Sequence, residues 1–134
     1  MPATASRGLC NSVGQVSVCK ELPTSAGLLD NLWLTPDGGI VLGECKLFRN
    51  PEARRQVIVQ ALDYARAIAG LGYEELEAAA RKALSAPSMT LWSMVSDQSA
   101  LEQAQFVDAI SRRLRQSHLM VLIIGDAIQE GVEC

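Results

Sequence analysis

The chain has 134 residues, of which 49% are hydrophobic and 20% are charged, and its formal net charge is −3. This length suits one domain with a core of its own, so we assign residues 1–134 to a single domain. The composition is that of a soluble globular protein, and no apolar run approaches the roughly 20 residues needed to cross a bilayer. We therefore expect no membrane association. The negative charge argues against non-specific coating of nucleic acid, although its distribution matters more than its sum.

The predicted elements alternate in the order β-β-β-α-α-β-α-β. Strands are expected over residues 13–21, 28–34 and 40–48, helices over 51–69 and 73–84, a buried strand over 89–96, an amphipathic helix over 99–116 and an apolar strand over 118–124. The last strand is the most apolar, so we expect it at the centre of the sheet or fully covered. This order predicts an α/β protein whose mixed sheet is flanked by helices on both faces.

The cysteines and the N-terminal segment bear on the compartment. Cys10, Cys19, Cys45 and Cys134 have no Cys-x-x-Cys spacing, and the segment before Cys19 has no apolar stretch of the kind found in secretory signals. We therefore expect a cytoplasmic protein with free thiols, although Cys10 and Cys134, near the chain ends, can cross-link in air.

The hairpin over residues 30–46 is the most informative segment because it places charges inside two apolar runs. If its strands close symmetrically about the Pro-Asp-Gly-Gly turn, Asp30 faces Glu44. The strand period of two puts Lys46 on the same face, whereas Cys45 points away. A slip of one residue in register would separate the two acids. Burying such charges is costly unless they are paired or bind a metal, so the pattern predicts a functional patch. The alternative is an ordinary hairpin with solvated charges.

Two carboxylates at this distance favour a cation between them. Magnesium commonly takes one or two carboxylates together with waters and substrate phosphate. A neighbouring lysine, here Lys46, can steady a metal-bound hydroxide or contact a phosphate oxygen.

The helix predicted over residues 51–69 brings in two more polar residues. Gln60 and Tyr64 are four apart and therefore share one helical face. If this helix packs back over the sheet, Gln60 points toward the acids and Tyr64 lies one turn further on. The alternatives are a half-buried glutamine and a core tyrosine whose hydroxyl lies at the rim.

Together, Asp30, Glu44-x-Lys46 and Gln60-x-x-x-Tyr64 resemble the PD-(D/E)XK nuclease superfamily, and the last element resembles its RecB-type branch. The resemblance is strongest over residues 20–70. It implies a restriction-endonuclease-like fold, here with the N-terminal helix reduced or absent. It also implies a metal-dependent DNA phosphodiesterase, an endo- or exonuclease of a repair, recombination or restriction type, that uses Mg²⁺ or Mn²⁺.

The resemblance also assigns roles to individual residues. Asp30 and Glu44 would bind the metal, together with the backbone carbonyl of Cys45. Lys46 would help to activate the attacking water or bind the scissile phosphate. The remaining two would arrange the site, Gln60 by orienting the lysine or the substrate and Tyr64 by supporting that arrangement.

The chain departs from the family at its start. Many members have a first helix that contributes another acid, but the first acid of this chain is Glu21. Four explanations stay open: Glu21 substitutes for that acid, the site uses fewer ligands, the chain is a fragment, or it is a lapsed nuclease. A missing first helix would also leave one sheet face uncovered, which favours a homodimer.

Basic residues supply a candidate DNA-binding rim. The residues expected to contact phosphates are Arg49, Arg54, Arg55 and Arg113. An equally good interpretation of the run containing Arg113 is that it complements the C-terminus of a helix. Three functions follow from these patterns: a DNA nuclease, a non-catalytic DNA-binding or assembly module that retains the nuclease fold, and a protein that retains only the fold.

Overall fold

The computed structural model describes residues 14–46 and 51–125. Within them lie a four-stranded mixed sheet, four α-helices and a 3₁₀ turn. In chain order the elements are β1 (Val16–Thr24), β2 (Gly27–Leu34), β3 (Ile40–Lys46), α1 (Pro51–Ala69), α2 (Tyr73–Leu84), α3 (Leu91–Val95), the 3₁₀ turn (Ser96–Gln98), α4 (Gln103–Arg115) and β4 (Met120–Gly125). The predicted α/β class is confirmed.

The sheet has the order β1-β2-β3-β4, with antiparallel pairing up to β3 and β4 parallel to β3. The predicted register of the hairpin is confirmed, because Leu32 pairs with Leu42 and Leu34 with Ile40. The turn is closed by the amide of Gly39, which donates to the Thr35 hydroxyl at 2.7 Å.

A single apolar core joins the sheet to all four helices. Leu32 and Leu42 enter it from the sheet, Ile68 from α1 and Phe106 from α4, and each is at most 1% exposed. Each such side chain contributes about 1.5–3 kcal/mol through its removal from water. On β2, the Trp33 ring lies so close to Gly43 that a Cβ there would be 2.3 Å from it.

The strand predicted over residues 89–96 is wrong, because this segment forms α3. Thr90 caps the helix by accepting the amide of Ser93 at 3.0 Å, and the Ser93 hydroxyl accepts the amide of Thr90 at 3.2 Å. This reciprocal cap satisfies amides that a new helix leaves unpaired. Leu91 and Val95, four apart, are both fully buried, so the apolar run has helical spacing.

The expected position of the last strand is also wrong for the described part of the chain. There, β4 pairs only with β3 and lies at the edge of the sheet. Met120 is 55% exposed, and residues 121–124 are half-buried. Helix α1 packs on β3 and β4, and this contact accounts for part of the apolar character of the strand.

Two predicted elements moved by three residues or more. β1 runs from Val16 to Thr24 rather than over 13–21, and α4 begins at Gln103 rather than at 99. The later start of α4 has a local cause. The Ser99 hydroxyl donates to the carbonyl of Pro36 at 2.7 Å and accepts the amide of Leu101 at 3.1 Å, which holds this segment against the hairpin turn.

Candidate functional site

The candidate site lies where the β2–β3 ladder ends. The last backbone pair of the ladder is Asn31 with Gly43, and beyond it two carboxylates bridge the strands. The amide of Asp30 donates to Glu44 Oε2 at 3.2 Å, and the amide of Cys45 donates to Asp30 Oδ2 at 2.8 Å. Each acid thus accepts a hydrogen bond from the backbone of the opposite strand, which holds the two acids next to each other.

The electrostatics of this pair concentrate negative charge. Glu44 is 1% exposed and Asp30 is half-buried. Both carboxylates accept a backbone amide of the opposite strand, and Asp30 keeps partial access to solvent. Mg²⁺ prefers oxygen ligands of this kind together with waters. Asp30 and Glu44 are therefore the described residues that would contribute side-chain ligands to the predicted metal.

Helix α1 attaches beside the acids through Tyr64. Its hydroxyl donates to the carbonyl of Leu28 at 2.7 Å and accepts from Gln60 Nε2 at 3.2 Å. A Cβ at Gly27 would lie 3.2 Å from the same hydroxyl, so this glycine permits a close approach. The contact fixes α1 to β2 two residues before Asp30.

The phenol of Tyr64 acts as a neutral donor. Burial raises its pKa above the ordinary 10.0, the charges of Glu44 and Asp30 raise it further, and the hydrogen bond from Gln60 lowers it. Tyr64 therefore keeps its proton at neutral pH and anchors the helix. Gln60 contacts Tyr64, and its predicted role toward Lys46 or the substrate stays a prediction.

Lys46 ends β3, where its backbone pairs in register with Gly125 of β4. Its side chain and all of Arg49 lie outside the described residues. Arg54 and Arg55 are exposed on the first turns of α1, and Arg55 forms an ion pair with Glu52 at 3.0 Å.

Arg113 lies beside the hairpin turn, and its predicted contact with DNA phosphate stays a prediction. Its guanidinium donates to the carbonyl of Asp37 in that turn at 3.1 Å. The strand from Asp30 to Leu34, where β2 ends before the turn, spans about 13 Å at about 3.3 Å per residue. The sequence indicated a basic cluster, but it did not indicate that α4 ends beside the turn.

Glu21 lies opposite Asp30 in the register of β1 and β2, because Lys20 pairs with Asn31 and Leu22 with Leu29. Its φ is 54°, a conformation that non-glycine residues seldom adopt, and it is exposed. Even so, the described residues contain no group of three or more His, Cys, Asp or Glu side chains that could hold a metal. Asp30 and Glu44 thus form a pair rather than a triad among these residues.

The thiol predictions were partly wrong. Cys45 is disulfide-bonded, and its partner lies outside the described residues. Cys19 is a free, buried thiol whose pKa burial raises to about 11. Asn31, which was not predicted as a site residue, is 3% exposed, and its side-chain amide donates to the Cys45 sulfur at 3.8 Å. The only sequence signal for it was a polar residue inside an apolar strand.

Comparison with known proteins leaves the family open. No protein-family model matches the chain, and no curated protein and no solved structure matches it. Among the described residues, no helix is long and apolar enough to cross a membrane.

Proposed function

We propose that the chain is a DNA phosphodiesterase, an endo- or exonuclease, that depends on Mg²⁺ or Mn²⁺. The observation that carries the proposal is the pair of cross-strand acids, Asp30 and Glu44, held side by side by reciprocal amide bonds. A pair of this kind raises local repulsion, which a bound divalent cation would relieve. The mixed four-stranded sheet with flanking helices is compatible with the restriction-endonuclease-like fold that the motif implies.

In this proposal each residue has a distinct task. Asp30 and Glu44 would hold the cation, with the carbonyl of Cys45 as a further ligand. The cation would supply charge neutralisation at the phosphate and a lowered pKa of a bound water. Lys46 would contact the scissile phosphate or the attacking water. Tyr64 positions α1 through the Leu28 carbonyl and accepts a hydrogen bond from Gln60, which would orient Lys46 or the substrate.

The substrate contacts in the proposal come from the beginning of α1. Arg54 is exposed there, and Arg49 precedes it in the sequence. Basic side chains near a metal site would hold the phosphate backbone of DNA. A cytoplasmic location is part of the proposal, and the disulfide at Cys45 is the observation that counts against it.

A second candidate is a non-catalytic DNA-binding or assembly module. Two observations favour it. Both acids accept amides at the end of a ladder, which is a sufficient structural role, and the described residues hold no third acid within a metal-binding group.

A cleavage assay separates the two candidates. Wild-type protein with Mg²⁺ or Mn²⁺ should cut plasmid or single-stranded DNA, and excess chelator should stop the reaction. Asp30→Asn should be inactive. Asp108→Asn should cut like wild type, because Asp108 is an exposed acid on α4 whose side chain is 70% accessible.

The absence of cleavage would refute the enzyme proposal. If wild type with either metal cuts no duplex, flap or single strand, the phosphodiesterase proposal fails. Salt-sensitive DNA binding in that case would support the non-catalytic module.

A further inference from the structure

The face of α1 that points away from the core carries apolar side chains that are open to solvent. Ile58, Val59 and Leu62 expose 45%, 59% and 56% of their surface. Val59 and Leu62 lie about half a turn from the buried stripe, which consists of Val57, Ala61, Tyr64 and Ile68. Single exposed apolar residues are common, but a contiguous group on one helical face marks an interaction surface.

Two ion pairs bracket this patch. Before it, Arg55 contacts Glu52 at 3.0 Å, and after it, Arg66 contacts Asp63 at 3.3 Å. All four side chains are at least half accessible, from 50% to 79%. Along the helix the outer face therefore follows the order acid, base, apolar patch, acid, base.

We propose that this face is a homodimer interface in which α1 packs antiparallel against α1 of a second copy, with the twofold axis at Val59. Reversing the second helix places residues equidistant from Val59 opposite each other. Glu52 then faces Arg66 of the second copy. By the same symmetry Arg55 faces Asp63, so the four charges of this outer face meet opposite charges.

Other arrangements of the two helices lose this match. In a parallel pair Arg55 lies beside Arg55 of the second copy, and each of the other charges likewise meets its own sign. In an antiparallel pair whose axis lies between Gln60 and Ala61, Arg55 faces Arg66 instead. Like charges in such positions are unfavourable, so the sequence of the face selects both the direction and the register.

The shape of the surface is consistent with a helix as the partner. An open surface depression of about 550 Å³ lies on this side of α1, and its described lining includes Arg55, Gln56, Val59 and Asp63. The stretch from Glu52 to Arg66 is about 21 Å long. One helix pair of that length buries less surface than a stable interface, which buries about 1,200–2,000 Å². We therefore expect a monomer–dimer equilibrium in the micromolar range.

Analytical ultracentrifugation of charge-reversed variants tests the proposal. Wild type should dimerise reversibly between about 1 µM and about 1 mM. An acidic-face variant carries Arg55→Glu and Arg66→Glu, and a basic-face variant carries Glu52→Lys and Asp63→Lys. Each alone should associate at least tenfold more weakly than wild type, and an equimolar mixture should form a heterodimer.

A matched control replaces an exposed apolar residue elsewhere. Leu84, on α2, is 38% exposed, and Leu84→Lys should dimerise like wild type. Circular dichroism spectra that match wild type establish that each variant is folded. Wild type that stays monomeric throughout would overturn the proposal, and so would variants that dimerise undiminished or fail to associate when mixed.

Discussion

Two described regions of this molecule bury acidic side chains, and the groups that surround the acid differ between the two regions. Glu77 of α2 is 8% exposed and accepts from the Arg81 guanidinium at 2.9 Å, the Leu91 amide at 2.9 Å and the Tyr73 hydroxyl at 3.2 Å. Arg81 also donates to the carbonyl of Met89 at 2.6 Å. This acid has a cation beside it, and the pair ties α2 to the start of α3.

At the end of the β2–β3 hairpin, the neighbour across the strands is a second acid. Asp30 and Glu44 each accept a backbone amide of the opposite strand. The first region joins two helices of the fold, whereas the second is where the proposed cation would bind. The comparison therefore separates a structural acid from a candidate functional pair.

If the proposed site is catalytic, the largest effect on the cleavage rate should come from substitution of Lys46. Lys46→Ala should lower the cleavage rate by about 10²-fold or more, because a group acting on the water or phosphate contributes mainly in the transition state. The thermal shift caused by Mg²⁺ should remain, since the acids still hold the cation. A variant that cuts DNA at the wild-type rate would show that Lys46 has no catalytic role.

Breaking the structural region should cost stability rather than activity. Glu77→Ala leaves Arg81 without its carboxylate and should destabilise the fold by roughly 2–3 kcal/mol, less than the 3–5 kcal/mol for a fully buried pair because Arg81 is partly exposed. Urea denaturation measures the difference. Glu74→Ala, at an exposed acid of the same helix, should change stability by less than about 0.5 kcal/mol. Equal effects of the two substitutions would refute the structural role of Glu77.

A smaller effect should come from the anchor between the helix and the site. Tyr64→Phe removes the hydrogen bond to the Leu28 carbonyl and should cost about 1 kcal/mol at neutral pH. The folded pKa of Tyr64 lies above its ordinary 10.0, so its contribution is present below pH 10 and is lost as the pH rises above that value. Tyr64→Phe should therefore lose less stability than wild type on that alkaline side. If the free energy of unfolding, measured by urea denaturation, falls equally with pH in both proteins, the raised pKa of Tyr64 is wrong.

Local signals predicted much of the fold. The predicted bounds of α1 and α2 match those observed, Pro51–Ala69 and Tyr73–Leu84, because Pro51 suits a first helical position and Gly70 and Gly72 interrupt the helical pattern. The register of β2 and β3 followed from the turn between them. The same register predicted that Asp30 and Glu44 are adjacent, and the hydrogen bonds from backbone amides to both acids agree with this prediction.

Most of the predictions that failed depend on contacts between segments that are distant in the sequence. Periodicity could not separate a short helix from a strand over residues 89–96, and the Thr90 cap was the signal that was missed. The apolar composition of β4 did not reveal its place at the edge of the described sheet. Similarly, nothing local showed that Glu77 would accept the amide of Leu91, fourteen residues away. Tyr73 and Arg81 lie on the same helix as Glu77, but the Leu91 amide belongs to α3 and is not visible in the local pattern.

The central claim is that Asp30 and Glu44 together bind a divalent cation, and thermal denaturation with and without Mg²⁺ or Mn²⁺ tests it most directly. The wild-type melting temperature should rise with metal, since the cation binds only the folded state. Asp30→Asn should show no rise. In chelator it should be at least as stable as wild type, because asparagine can still accept the Cys45 amide without adding repulsion. Equal metal responses of wild type and Asp30→Asn would contradict the claim.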